Sequence, residues 1–209
     1  MRSASLGPAE GRAVDSGMSP HFSAAARGLE PASTRDYAPI AAALRELPPE
    51  TDRQARMQAV VDLIWEAFGR REPAETEIEG LDRHGEGAVS WVGFYLPVPD
   101  KDEMVLGPRR DKPACSPIGM HGACGRALQT RKTLVIPDVS RLGEGYIACD
   151  PRDRSELVVP CLEKSGECWG VLDLDSHDSA AFYERDGYAL MLVLRAAGLS
   201  HADAEVELL

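Results

Sequence analysis

Residues 89–96 read Val-Ser-Trp-Val-Gly-Phe-Tyr-Leu, and a stretch so rich in β-branched and aromatic side chains predicts a central β-strand. Upstream of it, Met57, Val60, Val61, Ile64, Trp65 and Phe68 recur at three-and-four spacing, which gives a helix one broad apolar face. Thr51 is the expected N-cap. Such a face must pack on something, and the sheet containing residues 89–96 is the candidate. A shorter helix through Ile40, Leu44 and Leu47 precedes it and is stopped by Pro48 and Pro49. The charged, glycine-containing stretch 70–86 between helix and strand reads as a loop.

Downstream, Met104–Leu106 continues as a short neighbouring strand, Gly122–Thr130 as a small helix and Leu134–Pro137 as another strand. Glu156–Leu162 and Cys168–Ser176 form a hairpin turning at Lys164-Ser165-Gly166. A terminal helix over Glu184–Ala197 carries Tyr188, Met191, Leu192 and Arg195. This order predicts an α+β fold, a central antiparallel sheet with helices on one face and a pocket covered by loops and a short helix on the other. No internal repeat is present.

A chain of 209 residues with 44% hydrophobic content suits one domain. Residues 1–35, rich in Ser, Ala, Gly and Pro, cannot bury enough surface to offset chain entropy and are expected to be a disordered leader. The domain is then 36–209. A formal net charge of -11 disfavours nucleic acid and anionic membrane surfaces as partners. No run of about 18 apolar residues occurs and the N-terminus lacks a secretory apolar stretch, so a cytoplasmic location is expected.

Five cysteines, Cys115, Cys124, Cys149, Cys161 and Cys168, argue against a framework of structural disulfides and for free, metal-bound or redox thiols. Cys149 (Tyr-Ile-Ala-Cys-Asp-Pro) and Cys115 (Lys-Pro-Ala-Cys-Ser-Pro) sit in irregular polar segments, where a thiol is less often a small buried hydrophobe. The first turn of the small helix holds Cys124, where the macrodipole favours negative charge. Cys161 and Cys168 lie in opposite strands of the hairpin and read as buried, although a bridge between them is conceivable. The spacings contain no Cys-x-x-Cys pair and no nearby histidine pair, which argues against zinc. His121 and His177 read as surface or loop residues.

In Gly170-Val-Leu-Asp-Leu-Asp-Ser176 the period of two places Asp173 and Asp175 on the face opposite Leu172 and Leu174. Glu156 opens the partner strand and can converge on them. A clustered trio would hold a proton on one member, whereas the alternative is a solvated strand face. Trp91 and Tyr95 alternate on one face of the central strand, as core or as pocket lining.

Six segments together resemble a known family: Trp91-Val-Gly-Phe-Tyr-Leu96, Val105-Leu-Gly-Pro108, Cys115 followed by Gly122-Ala-Cys-Gly125, Tyr146-Ile-Ala-Cys-Asp150, Ser155-Glu-Leu-Val-Val-Pro160 and Gly170-Val-Leu-Asp-Leu-Asp-Ser176. In this order they are similar to the free methionine-(R)-sulfoxide reductases, which are GAF domains. The resemblance implies an attacking thiol at Cys149, a resolving thiol at Cys115 and an auxiliary thiol at Cys124. It implies substrate binding by Glu156, Asp173 and Asp175, with Trp91 and Tyr95 as candidate lining. The implied substrate is free methionine sulfoxide and the implied reductant thioredoxin, with no metal and no organic cofactor. A homodimer is the assembly that GAF domains suggest. The segment 116–123 is one residue shorter than the family pattern and the turn near Ser165 one longer. Against the enzyme stands a different class, a GAF small-molecule-binding or redox-sensor module; with no output segment after the terminal helix, the enzyme is the expected reading.

Overall fold

The computed structural model describes residues 35–69, 88–110, 114–145 and 149–209. The expected loop at 70–86 and the expected leader up to residue 34 lie outside the described residues. Four helices are α1 (Ala38–Arg45), α2 (Arg53–Phe68), α3 (Ala123–Thr130) and α4 (Glu184–Ala196). The strands are β1 (Trp91–Pro97), β2 (Glu103–Arg110), β3 (Ile118–Gly119), β4 (Thr133–Ile136), β5 (Ser155–Leu162), β6 (Cys168–Ser176) and β7 (Val206–Leu208). They form one sheet in the order β3-β2-β1-β6-β5-β4-β7.

Alternation along the strands sorts the apolar residues into two layers. Val92 and Phe94 of β1, Leu157, Val159 and Cys161 of β5, and Leu172 and Leu174 of β6 face α1, α2 and α4. Trp91, Tyr95, Val158 and Val171 point the other way, with Leu134 and Ile136, towards α3. Phe94 is 0% exposed, and full burial of such a side chain stabilises by about 1.5–3 kcal/mol. The helix face of α2 is as read from the sequence: Met57, Val60, Val61 and Ile64 are buried, and Trp65 and Phe68 lie half-buried at its margin. Its N-cap is Asp52 rather than Thr51, because the Asp52 carboxylate accepts from the Ala55 N–H at 2.8 Å.

Several expectations need correction. The sheet is mixed, since β7 pairs in parallel with β4 (Leu134 opposite Glu207) while the other pairings are antiparallel. Val206-Glu-Leu is too short to show an alternation, and it carries the chain on past the terminal helix. β2 runs four residues beyond Leu106, with Gly107 and Pro108 falling where the register with β1 shifts between Gly93 and Tyr95. On α4, Leu190, Met191, Val193 and Leu194 are buried, whereas Tyr188 is 54% and Leu192 56% exposed. Among the described residues no helix is long and apolar enough to cross a membrane.

The helix layer closes around Asp186. Its carboxylate accepts from the Tyr183 backbone N–H at 2.9 Å, capping α4, and from the Tyr37 hydroxyl at 3.0 Å. Arg35, counted with the leader above, pairs with it at 3.5 Å, donates to the Ala181 carbonyl and stacks 4.9 Å from the Phe182 ring. Removing a buried carboxylate with this many donors leaves them unsatisfied. Asp186→Ala is therefore expected to lower unfolding free energy by about 3 kcal/mol, read as a shifted urea midpoint at unchanged m-value; a loss below about 1 kcal/mol would show that α1 and α4 are held by apolar packing alone.

Candidate functional site

On the α3 side of the sheet a cavity of about 240 Å³ opens between β1, β5, β6, α3 and the segments at 114–118 and 149–153. The register explains what lines it. Trp91 pairs with Asp175 and Gly93 with Asp173 across β1 and β6, while Glu156 pairs with Asp175 across β5 and β6. Side chains opposite or diagonal across strands are close neighbours, so Glu156, Asp173 and Asp175 converge on one floor. The solvated-face alternative does not hold: Glu156 and Asp173 are each 5% exposed, and Asp175 is half-buried beside them.

Trp91 and Tyr95 are both core and lining. Their rings lie 5.8 Å apart along the cavity wall. Between them stands Gly93, where a Cβ would lie 2.5 Å from the Trp91 indole, so the ring can lie flat only over a residue without a side chain. The Tyr95 hydroxyl donates to the Cys115 carbonyl at 3.0 Å, and the Leu106 N–H donates to the Ser116 hydroxyl at 3.2 Å. These two bonds fix the Cys115 segment against the cavity mouth.

The thiols divide into three settings. Cys149 is exposed as a residue and lines the mouth. Cys115, also exposed and not part of the lining, is a hydrogen-bond partner of the Cys149 thiol through both its side chain and its backbone. Desolvation at the mouth, followed by the bond with Cys115, pushes the Cys149 thiol up to about 12. Cys124 is buried, and its S–H donates to Asp173 Oδ2 at 3.3 Å. The expected thiolate at this helix N-terminus is overturned: burial, then the Asp173 charge, raises the thiol well above its ordinary value and outweighs the dipole of an eight-residue helix. Lys112, the cation near Cys115 in sequence, lies outside the described residues. Cys161 is buried in the helix-side core and Cys168 is half-buried, both as free thiols.

What brings Cys124 to the floor is the approach of α3 to β3. A Cβ at Gly125 would sit 2.1 Å from the Met120 carbonyl oxygen, so only glycine lets the helix descend this far. Gly122, its N-cap, offers no side-chain acceptor, and Gly122, Ala123 and Cys124 at this end of α3 line the cavity.

Burial, then the charge of Asp173, raises Glu156 and Asp175 well above the ordinary carboxylate range. Asp173 is raised less, to about 7: burial pushes it up, and the Cys124 S–H and the Leu174 N–H hold it back. The trio thus resists ionisation as a cluster as pH rises towards neutral. The sequence reading missed Asp153, which is 5% exposed in the lining and accepts from the Ser90 hydroxyl at 3.1 Å. It missed the neighbouring setting too, where His177 lies 3.7 Å from Asp150 and from Asp153. Arg152 holds Asp150 well below the carboxylate range. The one available signal was position, since Asp150 and Asp153 follow Cys149 directly.

Two groups bring ligand atoms within 4.8 Å of one another, Cys124 with Glu156 and Asp173, and Asp150 with Asp153 and His177. In the first, a cation would need Cys124 to surrender a proton that burial and two carboxylates hold in place. In the second, Arg152 and Ser90 already occupy the carboxylates.

The family model described as GAF domain matches residues 52–200. The chain belongs to the GAF domain family. The X-ray structure of free methionine-R-sulfoxide reductase from Neisseria meningitidis in complex with its substrate is 32% identical, with a TM-score of 0.59 over 78% of this chain and 87% of that one. A putative GAF sensor protein from Burkholderia vietnamiensis is 35% identical, with a TM-score of 0.62 over 79% and 92%. The free methionine-R-sulfoxide reductase of Saccharomyces cerevisiae is 38% identical over 96 residues, 45% of this chain and 53% of that protein. The chain spans between about half and two thirds of the length of the curated relatives it matches.

Carboxyl groups with raised values lower the stability of this GAF domain as pH rises. The contribution is fully present below the unfolded value near 4 and is lost as pH climbs through the folded value, about 7 for Asp173. The wild type is expected to be less stable at pH 8 than at pH 4.5 by roughly 2–4 kcal/mol from this residue, and Asp173→Asn should recover most of that difference. Urea denaturation of both proteins at the two pH values checks it; identical pH dependence in the two would refute the assignment.

Proposed function

We propose that this GAF domain reduces free methionine-(R)-sulfoxide to methionine with its own thiols. The observation that carries this is one arrangement: the Cys149 thiol, with Cys115 near enough to interact with it, beside a small cavity floored by three carboxyl groups. A 240 Å³ cavity falls below the ~300–1,000 Å³ of pockets for drug-sized ligands and suits a free amino acid. A carboxylate at Asp173 pairs with the ammonium that a free amino acid has and a residue within a peptide lacks. Trp91 and Tyr95 offer an apolar wall to the thioether end.

The chemistry follows from the proton distribution. A protonated Glu156 or Asp175 donates to the sulfoxide oxygen and draws electron density from sulfur. The Cys149 sulfur bonds to the substrate sulfur, and in the adduct the oxygen passes to Cys149 as the original sulfur–oxygen bond and the new sulfur–sulfur bond both break, so that methionine leaves with the electron pair and Cys149 is left as a sulfenic acid. The proton lent by the carboxyl group is balanced by the one Cys149 gives up. Cys115 then condenses with the sulfenic acid to a disulfide and water, and an external dithiol of the thioredoxin class restores both thiols. Cys115, near enough to interact with Cys149 and outside the cavity lining, fits the resolving role. No step requires a metal or an organic cofactor.

A Cys149 thiol at about 12 is a poor nucleophile at neutral pH. Desolvation is the main cause of that value and the negative charge of Asp173 a minor one, which an ammonium paired with Asp173 would remove. The same value favours a second reading, a GAF module that binds a small molecule without turning it over, in keeping with the Burkholderia relative described as a putative sensor.

Methionine formation from free L-methionine-(R)-sulfoxide with thioredoxin, thioredoxin reductase and NADPH decides between them. Turnover is expected with the free (R) form, at least 100-fold slower with the (S) epimer or a peptide-bound sulfoxide, and unchanged by EDTA. Cys149→Ser should abolish it, Cys115→Ser should leave a single turnover of the sulfenic acid, and Glu156→Gln should lower kcat/KM about 10²-fold or more. Ligand-dependent thermal stabilisation without product would establish the sensor instead.

A further inference from the structure

The structure contains a third thiol that the redox cycle does not need. Cys149 and Cys115 supply the attacking and resolving sulfurs, while Cys124, in the first turn of α3, is 5% exposed among the residues that line the cavity. A sulfur so buried is less open to an external dithiol than the exposed Cys115 and Cys149.

Its contacts assign it another role. The Cys124 S–H reaches Asp173 Oδ2 at 3.3 Å, and the nearby Leu174 backbone N–H also favours the charged form of this carboxylate. Asp173 Oδ1, in contrast, is buried without any hydrogen-bond partner. A buried carboxylate oxygen left unpaired is costly and rare, and it points to a missing positive or donating group. Among the described residues, the titratable groups that interact with Asp173 besides Cys124 are Glu156 from β5, Asp175 from its own strand, Tyr95 from β1, and Asp153 and Cys149 from the segment at 149–153, none of them a cation.

We propose that Cys124 acts in this site as a hydrogen-bond donor rather than as a redox thiol, holding Asp173 by Oδ2 so that the bare Oδ1 meets the ammonium of the ligand. This rests on the reading of the site as one for a free amino acid. Cys124 then selects which of three equivalent carboxyl groups carries the charge. Glu156 and Asp175 lack such a side-chain donor among the described residues and keep their protons for the sulfoxide oxygen. A charge-accepting and a proton-donating subsite thereby coexist within one acidic cluster, and Cys124 is a positioning residue for that division.

The test compares Cys124→Ala, which removes the donor, with Cys124→Ser, which keeps one, in the full chain. With dithiothreitol as reductant, Cys124→Ala is expected to raise KM for free methionine sulfoxide about tenfold with a smaller change in kcat. The limb of the kcat/KM profile that follows Asp173 ionisation should move to higher pH by about one unit. Cys124→Ser should restore most of both. Equal loss of turnover in the two variants, with Cys124 recovered in a disulfide by peptide mapping after substrate exposure, would overturn the proposal. The infrared S–H stretch gives a readout independent of turnover: a band lowered in frequency by hydrogen bonding, absent in Cys124→Ala and raised in Asp173→Asn. Should the wild type fail to reduce any sulfoxide, the proposed function falls, and this band alone decides the hydrogen bond; a band insensitive to Asp173→Asn refutes it.

Discussion

Carboxyl groups confined in a space with little water repel one another when charged, and a protein tolerates three of them only if most remain protonated or a cation is supplied. Glu156, Asp173 and Asp175 create that situation, and the surrounding structure answers it from several sides. The strand register makes them converge, the first turn of α3 lines the same cavity, and the Cys124 and Leu174 donors relieve one carboxylate in preference to the others. Asp173 Oδ1 remains buried without a hydrogen-bond partner, and its demand for a positive partner gives the cavity its chemical preference.

Such a cluster subtracts from stability, so the rest of the domain has to offset it. The helix-side layer does so with a continuous apolar core in which Phe94, Leu172, Leu174 and Leu190 are fully enclosed. β1, β5 and β6 serve both layers at once, with one set of alternating residues in the core and the other in the cavity. The acidic floor therefore rests on strands whose other face is buried in the apolar core. The thiols Cys115 and Cys149 sit in irregular segments at the mouth, where a sulfur can change partners between substrate, sulfenic acid and disulfide without disturbing the sheet.

How legible this was in the sequence depended on the range of the signal. Periodic patterns located α2, β5, β6 and the shared face of Asp173 and Asp175, because the side-chain period is local geometry. The burial of that face was not legible: polar alternation looks the same whether water or α3 covers it, and the cover depends on Gly125 meeting Met120, a contact that spacing does not encode. The protonated state of Cys124 escaped for a related reason, since the helix position predicts one sign and the neighbouring Asp173, 49 residues away, imposes the other. β7 was too short to alternate, and Asp52 outcompeted Thr51 as a cap by a difference of one residue in where the chain turns. The pair Cys115 and Cys149 was implied by family resemblance, and their proximity is a matter of tertiary folding.

The outer strands of the sheet bear on how copies of this molecule can meet. A seven-stranded sheet offers two rows of unpaired backbone groups on which another chain could add a strand, yet β3 has two residues and β7 three. Where β2 runs past β3, the Leu106 N–H is already engaged by Ser116, Pro108 has none to give, and Arg109 and Arg110 stand exposed. Short, punctuated and charged borders of this kind discourage edge-to-edge aggregation. Growth of the sheet from one molecule into the next is thus disfavoured at the borders formed by the described residues.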